Sequence, residues 1–182
     1  MSKRGDAWER VKLIIALLSL TLYLYSCFCP AFEVVTNELY ENRIIHGYAC
    51  FLFGWLGLPF SIWNLVWCLN PIYLLSMITF LLRKGERSQN IAMSMCGCTV
   101  VAGLSFCFCD HVCVDESGSK YELGKLFIGY YLWVLSFVIL LSDMLLLLIY
   151  NRDVTGHLCH KSKKIDQGEV CPSDCRAKIT TN

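Results

Sequence analysis

Residues 44–82 read IIHGYACFLFGWLGLPFSIWNLVWCLNPIYLLSMITFLL, 39 consecutive positions without Asp, Glu, Lys or Arg. A straight helix of that length would run ~58 Å at ~1.5 Å per residue, about twice the ~30 Å hydrocarbon core of a bilayer. The stretch therefore holds either two crossings or one crossing with chain left over. The next charges decide. Two crossings would return Arg83, Lys84 and Arg87 to the side from which Glu33, Glu38 and Glu41 came. Lys and Arg are retained on the cytoplasmic side of a membrane protein, so one net crossing fits better. The break is expected at Gly54-Trp-Leu-Gly57-Leu-Pro59, because proline removes a helix donor and glycine weakens a helix. We read 47–58 as a short interfacial or re-entrant helix on the outer side and about 60–82 as the crossing. Asn70-Pro71 should kink that crossing. One steeply tilted, kinked helix is the alternative.

The rest of the chain follows the same logic. It has 182 residues, is 55% hydrophobic and only 17% charged, and carries a net charge of +1. Soluble domains average about 25% charged residues, so a solvated enzyme and a disordered chain are poor fits. No basic field for nucleic acid exists. The charges fall into islands at 1–12, 33–43, 83–87, 110–125 and 151–182, which hold every charged residue except Asp143. The first, third and fifth islands hold 13 of the 16 Lys and Arg, and the second and fourth are net acidic. Both termini are expected in the cytoplasm and both acidic loops outside. Crossings are expected at about 12–30, 60–82, 89–109 and 125–149, followed by a basic cytoplasmic tail over 151–182. Leu24-Tyr-Ser-Cys27 resembles a lipoprotein cleavage box, but Tyr25 is bulky there and the apolar run continues, so the first helix is expected to stay.

The outer loops carry strand signals. Phe32-Glu-Val-Val-Thr36, Tyr40 to Ile45, 111–115 and 120–123 are rich in Val and Tyr, and Glu116-Ser-Gly-Ser119 reads as a hairpin turn. A small three- or four-stranded extracytoplasmic β cap is expected. The fold class is thus an α-helical membrane protein with four transmembrane helices, a short outer helix and a β cap.

Twelve cysteines invite chemistry. Cys27, Cys29, Cys50, Cys107, Cys109 and Cys113 map near the outer surface, where disulfides persist, and are the disulfide candidates. Neighbours in a Cys-x-Cys are poorly placed to bond each other, so inter-element pairs are favoured. A membrane thiol oxidase shares this size and topology, but no Cys-x-x-Cys lies on the outer face. In the tail, His157, Cys159, His160, Cys171 and Cys175 are weak zinc candidates whose spacing fits no strong template. Cys159 is also a palmitoylation candidate in a eukaryotic source. Cys68, Cys96 and Cys98 read as small packing residues. The third crossing, with Ala92, Ser94, Cys96, Gly97, Cys98, Thr99, Ala102, Gly103 and Ser105, reads as the central, closely packed helix.

Asn70 and Asp143 are the intramembrane polar candidates, since a buried acid is costly and usually functional. Asn70, Ser142 or the basic tail are the expected partners of Asp143, and no buried basic mate is evident. Asn64 would join a polar pathway. Trp55, Trp63, Trp67, Trp133, Tyr130 and Tyr131 read as interface or packing anchors. No phosphate loop, nucleophile–base pair or metalloprotease motif occurs, and no cofactor is expected.

Gly47-Tyr48, Gly54-Trp-Leu-Gly57, Trp67-Cys-Leu-Asn70-Pro71 and Gly129-Tyr-Tyr-Leu-Trp133 resemble a loose group of uncharacterised bacterial multi-pass membrane proteins. That group shares a Gly-Trp element, a Trp-x-Ala-Asn-Pro element and a late Gly-Tyr-Tyr-Leu-Trp; Leu69 stands here for the Ala. The resemblance covers roughly 28–140 and implies a bacterial inner-membrane location without an activity. The four-helix plan with a β cap is also similar to claudin-like proteins, whose extracellular signature is absent. The functional expectation is a non-enzymatic membrane scaffold, sensor or partner subunit, a homo-oligomer or the partner of a cytosolic effector. Envelope-stress or phage-defence sensing enters by analogy. A small channel or transporter is the alternative, and the thiol oxidase a further one. Reporter fusions after residue 87 and after residue 182 should both report cytoplasm; an extracytoplasmic signal from either would overturn the topology.

Overall fold

Helix α1 (Lys3–Phe28) is polar inside and leucine-rich outside. In the computed structural model, Lys12, Ala16, Ser19, Tyr23 and Ser26 are buried, spaced alternately by four and three residues, while Leu13, Ile14, Leu17, Leu18 and Leu24 are exposed. That inversion suits a helix whose outer surface meets lipid. The structure describes residues 3–35, 42–59, 61–82, 85–113 and 119–166, with side chains from Glu9 to Tyr150 apart from Trp55 and Ile62. Four helical segments are long and apolar enough to cross a membrane: Glu9–Phe28, Trp63–Leu82, Glu86–Phe108 and Ile128–Tyr150.

Proline ends α1. Pro30 cannot continue the helix, and the chain turns at once into β1 (Pro30–Val35). β2 (Arg43–His46), β3 (His111–Cys113) and β4 (Lys120–Leu126) complete a sheet of order β2-β1-β4-β3, every neighbour antiparallel. β1 is central and buries Ala31, Phe32 and Val34. The expected cap is therefore a four-stranded sheet that ties the two long loops together through β1 and β4.

The uncharged stretch divides where its glycines and prolines stand. Helix α2 (Gly47–Phe53) passes into a 3-10 turn at Gly54–Gly57, and a second 3-10 helix (Ile62–Cys68) leads into α3 (Leu69–Leu82). A single long helix is excluded. The expected kink at Asn70-Pro71 is a change of helix type one residue upstream. Pro71 has no N–H for the carbonyl of Trp67, four residues back. The Asn70 side-chain amide donates to that oxygen instead, at 3.1 Å.

Helix α4 (Glu86–Ser105) packs along α3, and a short 3-10 helix (Phe106–Phe108) leads to β3. The third crossing is not the central one: 33% of it is buried, against 44% of the Trp63–Leu82 crossing. Only Ala92, Cys96, Thr99 and Gly103 face inward, while Val101 is 70% exposed. Its small residues admit a neighbour's bulk, as Gly103 does for Trp133, Val134 and Phe137. Helix α5 (Ile128–Asp166) follows β4. The chain divides into two compact units, Met1–Met144 and Leu145–Asn182, so the division falls inside α5. Residues 151–166, expected to belong to the tail, are helical, while 167–182 lie outside the described residues.

The turn between α1 and β1 is closely packed against backbone. The N–H of Gly47 donates to Cys29 O at 3.1 Å, and a Cβ there would meet Ser26 O and lie 2.8 Å from the Cys27 Cα. A Cβ on Gly129 would lie 2.6 Å from Pro30 O. Helices α2 and α5 thus start against backbone that cannot move aside. Gly47→Ala and Gly129→Ala should each destabilise the protein by ~1–3 kcal/mol in reversible detergent unfolding, the range for overpacking. Gly97→Ala, whose Cβ meets nothing within 4 Å, should be neutral or stabilising.

Candidate functional site

Three layers of polar and aromatic side chains join α1, α3 and α5. Nearest the sheet is Asn70. Its Oδ1 accepts from Tyr23 Oη at 3.1 Å and from Trp133 Nε1 at 2.8 Å, while Nδ2 serves the Trp67 carbonyl. Every polar atom of this buried amide is used. In the middle layer, Ser19 Oγ lies 2.6 Å from Tyr73 Oη and 2.7 Å from the Ser136 carbonyl, which accepts from it. Ser136 turns its own hydroxyl back to Trp133 O. Tyr23 stacks on Tyr73 at 5.0 Å between centroids, and Phe137 packs against Tyr73 at 4.8 Å and Trp133 at 4.7 Å.

The far layer is charged. Asp143 is 1% exposed, and its Oδ2 has no hydrogen-bond partner. Lys12 is 4% exposed, with Nζ 4.4 Å from the centroid of the Phe80 ring. Lys12 is the charge that acts on the Asp143 carboxyl. The two lie at matching depth: Lys12 is about 24 Å of helix before Phe28, and Asp143 about 22 Å after Ile128. The aromatic face gives the ammonium a cation–π contact in place of water.

A buried basic residue, Lys12, thus lies near enough to act on Asp143, contrary to expectation. Asn70 is committed elsewhere, and Ser142 is exposed with its hydroxyl on Val138 O. Lys12 was hidden in the first charge island, where it reads as one more flanking cation. The signal that finds it is the alternation Lys12, Ala16, Ser19, Tyr23, Ser26, which continues one inward face to the lysine. Asn64 leaves the proposed polar pathway as well. Its amide donates to Cys113 O at 2.8 Å and Gly54 O at 3.1 Å and accepts from Cys113 N at 3.3 Å, standing in for a strand partner at the β3 edge. Trp67, Trp133 and Tyr130 are buried packing anchors, Tyr131 is exposed, and the Trp55 side chain is outside the described residues.

The outer cysteine candidates cluster near the sheet without any disulfide among Cys27, Cys29, Cys50, Cys107 and Cys109, which are free thiols. Cys27 Sγ donates to Tyr23 O, Cys107 Sγ lies 3.0 Å from Tyr130 Oη, and Cys109 Sγ donates to His111 O at 3.0 Å. Cys113 is buried at the end of β3. Burial pushes the Cys50 thiol far above the ordinary range. Burial also raises Cys109 to about 11, outweighing its hydrogen bond to His111. Both are protonated, poorly nucleophilic thiols at neutral pH. Among the described residues no group of three or more His, Cys, Asp or Glu is placed to hold a metal. His157, Cys159 and His160 fall on α5 backbone whose side chains are not described, and Cys171 and Cys175 lie outside the described residues.

Comparison of the chain with family models, curated proteins and solved structures finds no match. The functional reading rests on the layers themselves. Removing one member of a buried charge pair strands the other, at ~3–5 kcal/mol, whereas replacing both by apolar groups is often neutral. Lys12→Met and Asp143→Leu should each destabilise the protein in that range, and the double variant should recover most of the loss. Additive costs in the unfolding cycle would show that the two side chains do not act together.

Proposed function

We propose that the protein is a non-enzymatic four-helix membrane scaffold or partner subunit of a bacterial inner membrane, with both termini cytoplasmic and the sheet outside. It acts with a second copy of itself or with a cytosolic effector. The observation that carries this reading is the filled axis of the bundle. From the sheet inward, Phe32, Trp67, Phe106, Trp133, Tyr73 and Phe137 pack ring against ring, stacked, tilted or edge-on, at 4.7–6.1 Å between centroids. The cavity between sheet and helices, lined by Phe32, Trp67, Asn70 and Trp133, measures about 20 Å³, room for about one water. A conduit needs a continuous wet or polar path, and here hydroxyls and amides are spent on one another.

The partition of Lys and Arg supports the sidedness, and Lys12, now part of the bundle, can be removed from the count without changing it. Exposed Tyr48, Phe51, Leu52 and Phe53 on α2 favour an interfacial position for that short helix. The absence of any Cys-x-x-Cys in the sequence counts against the thiol oxidase. One observation favours the transport reading: Asp143 Oδ2, buried and unpartnered beside Lys12. Purified protein in liposomes loaded with a pH-sensitive dye tests both. The scaffold reading expects proton leak equal to protein-free liposomes under an imposed gradient. A sustained flux that Asp143→Asn abolishes would replace it with transport.

A further inference from the structure

The register of α2 against α1 singles out two of the outer thiols. Gly47 sits directly on Cys27, so close that a Cβ would lie 2.8 Å from the Cys27 Cα. Cys50 follows three residues later on the same face of α2, about one helical turn or ~5 Å from Gly47. That places the two cysteines within or just beyond the ~4.4–6.8 Å Cα separation of a disulfide. Both side chains line the same cavity of about 20 Å³, beside Ser26, Ala31 and Phe51. The two thiols are near enough to act on each other electrostatically. Of the other candidates, Cys107 faces Tyr130, Cys109 binds the His111 carbonyl, the backbone of Cys113 is held by Asn64, and Cys29 does not line this cavity.

We propose that Cys27 and Cys50 form a redox site that closes into a disulfide between α1 and α2 by exchange with a disulfide-bearing oxidant. The partly exposed Cys27 is the entry point, and Cys50, 6% exposed, is the resolving thiol. The Cys27 thiolate attacks the oxidant's disulfide and forms a mixed disulfide, releasing one oxidant thiol. The Cys50 sulfur, losing its proton to solvent, then attacks Cys27 Sγ and expels the second oxidant thiolate, which takes up a proton. Two protein thiols are oxidised and one external disulfide is reduced to two thiols. The second step is slow because Cys50 is buried and protonated, and proximity offsets this. The closed bond encloses β1 and β2 and fixes α2 over the cavity beside Asn70. Oxidation in the cell rests on the proposed sidedness; the geometry of the pair does not.

The test uses the purified full chain in detergent, incubated with oxidised glutathione, quenched with acid, unfolded and tagged with a maleimide. The expected result is the loss of two tags and a peptide linked from Cys27 to Cys50. Cys27→Ser and Cys50→Ser should each abolish that link, and Cys29→Ser should leave it. A glutathione adduct that stays on Cys27 while Cys50 still tags, or a link from either cysteine to Cys29 or Cys107, would overturn the proposal. The same mapping in native membranes separates the two readings. Closure in detergent with a reduced pair in the cell supports the pair and contradicts the sidedness.

Discussion

The carboxamide of Asn70 joins three segments at one point, nearest the sheet. It accepts the hydroxyl of Tyr23 from α1 and the indole N–H of Trp133 from α5, and it donates to the Trp67 carbonyl, to which Pro71 has no N–H to offer. In a bilayer, packing between helices lacks the hydrophobic driving force it has in water, because lipid tails are as apolar as leucine. What fixes one helix against another is shape and the pairing of polar groups. Asn70 supplies the second, and the aromatic rings around it supply the first. The lower layers repeat the arrangement with different chemistry, hydroxyls at Ser19, Tyr73 and Ser136 and charges at Lys12 and Asp143. All three layers draw on α1, α3 and α5, while α4 joins the bundle through its packing on α3 and the bonds of Cys96 and Gly103 to α5.

At the sheet end the constraint is backbone rather than side chain. The turn from Ser26 to Pro30 receives the start of α2 through Gly47 and the start of α5 through Gly129, and Ala31 O accepts the Phe127 N–H. A sheet whose central strand begins at that turn transmits its position to both long loops. The result is a cap built rigidly onto the ends of the helices, with Asn64 closing one of its edges.

Much of this was legible in the sequence for physical reasons. Charges are costly in hydrocarbon, so the islands mark the ends of the four segments, and β-branched and aromatic residues mark the strands of the cap. Pro59, Gly54 and Gly57 divide the long uncharged stretch as expected. The inside of the bundle was harder to read. Lys12 looks like a flanking cation until its helical phase with Ser19 and Tyr23 is followed. Small residues on α4 suggested a central helix, yet smallness only permits approach and does not say from which face. Asn70 stood out beside Pro71, but the donors that meet it, Tyr23 and Trp133, lie 47 and 63 positions away, and no local pattern links them. The pairing of Cys27 with Cys50 needs the register of α2 on α1, which spacing alone does not contain.

The central claim is that Asn70 holds α1 and α5 to α3, and Asn70→Leu tests it most directly. The substitution keeps the branched outline of the side chain and removes all three hydrogen bonds, leaving the buried Tyr23 hydroxyl and Trp133 N–H without their acceptor, each at ~1–3 kcal/mol. Reversible unfolding in detergent should show a loss of about 2–4 kcal/mol, with Trp fluorescence shifted because Trp133 loses its partner. Unchanged stability and unchanged fluorescence would contradict the account, since the bundle would then not depend on the Asn70 carboxamide.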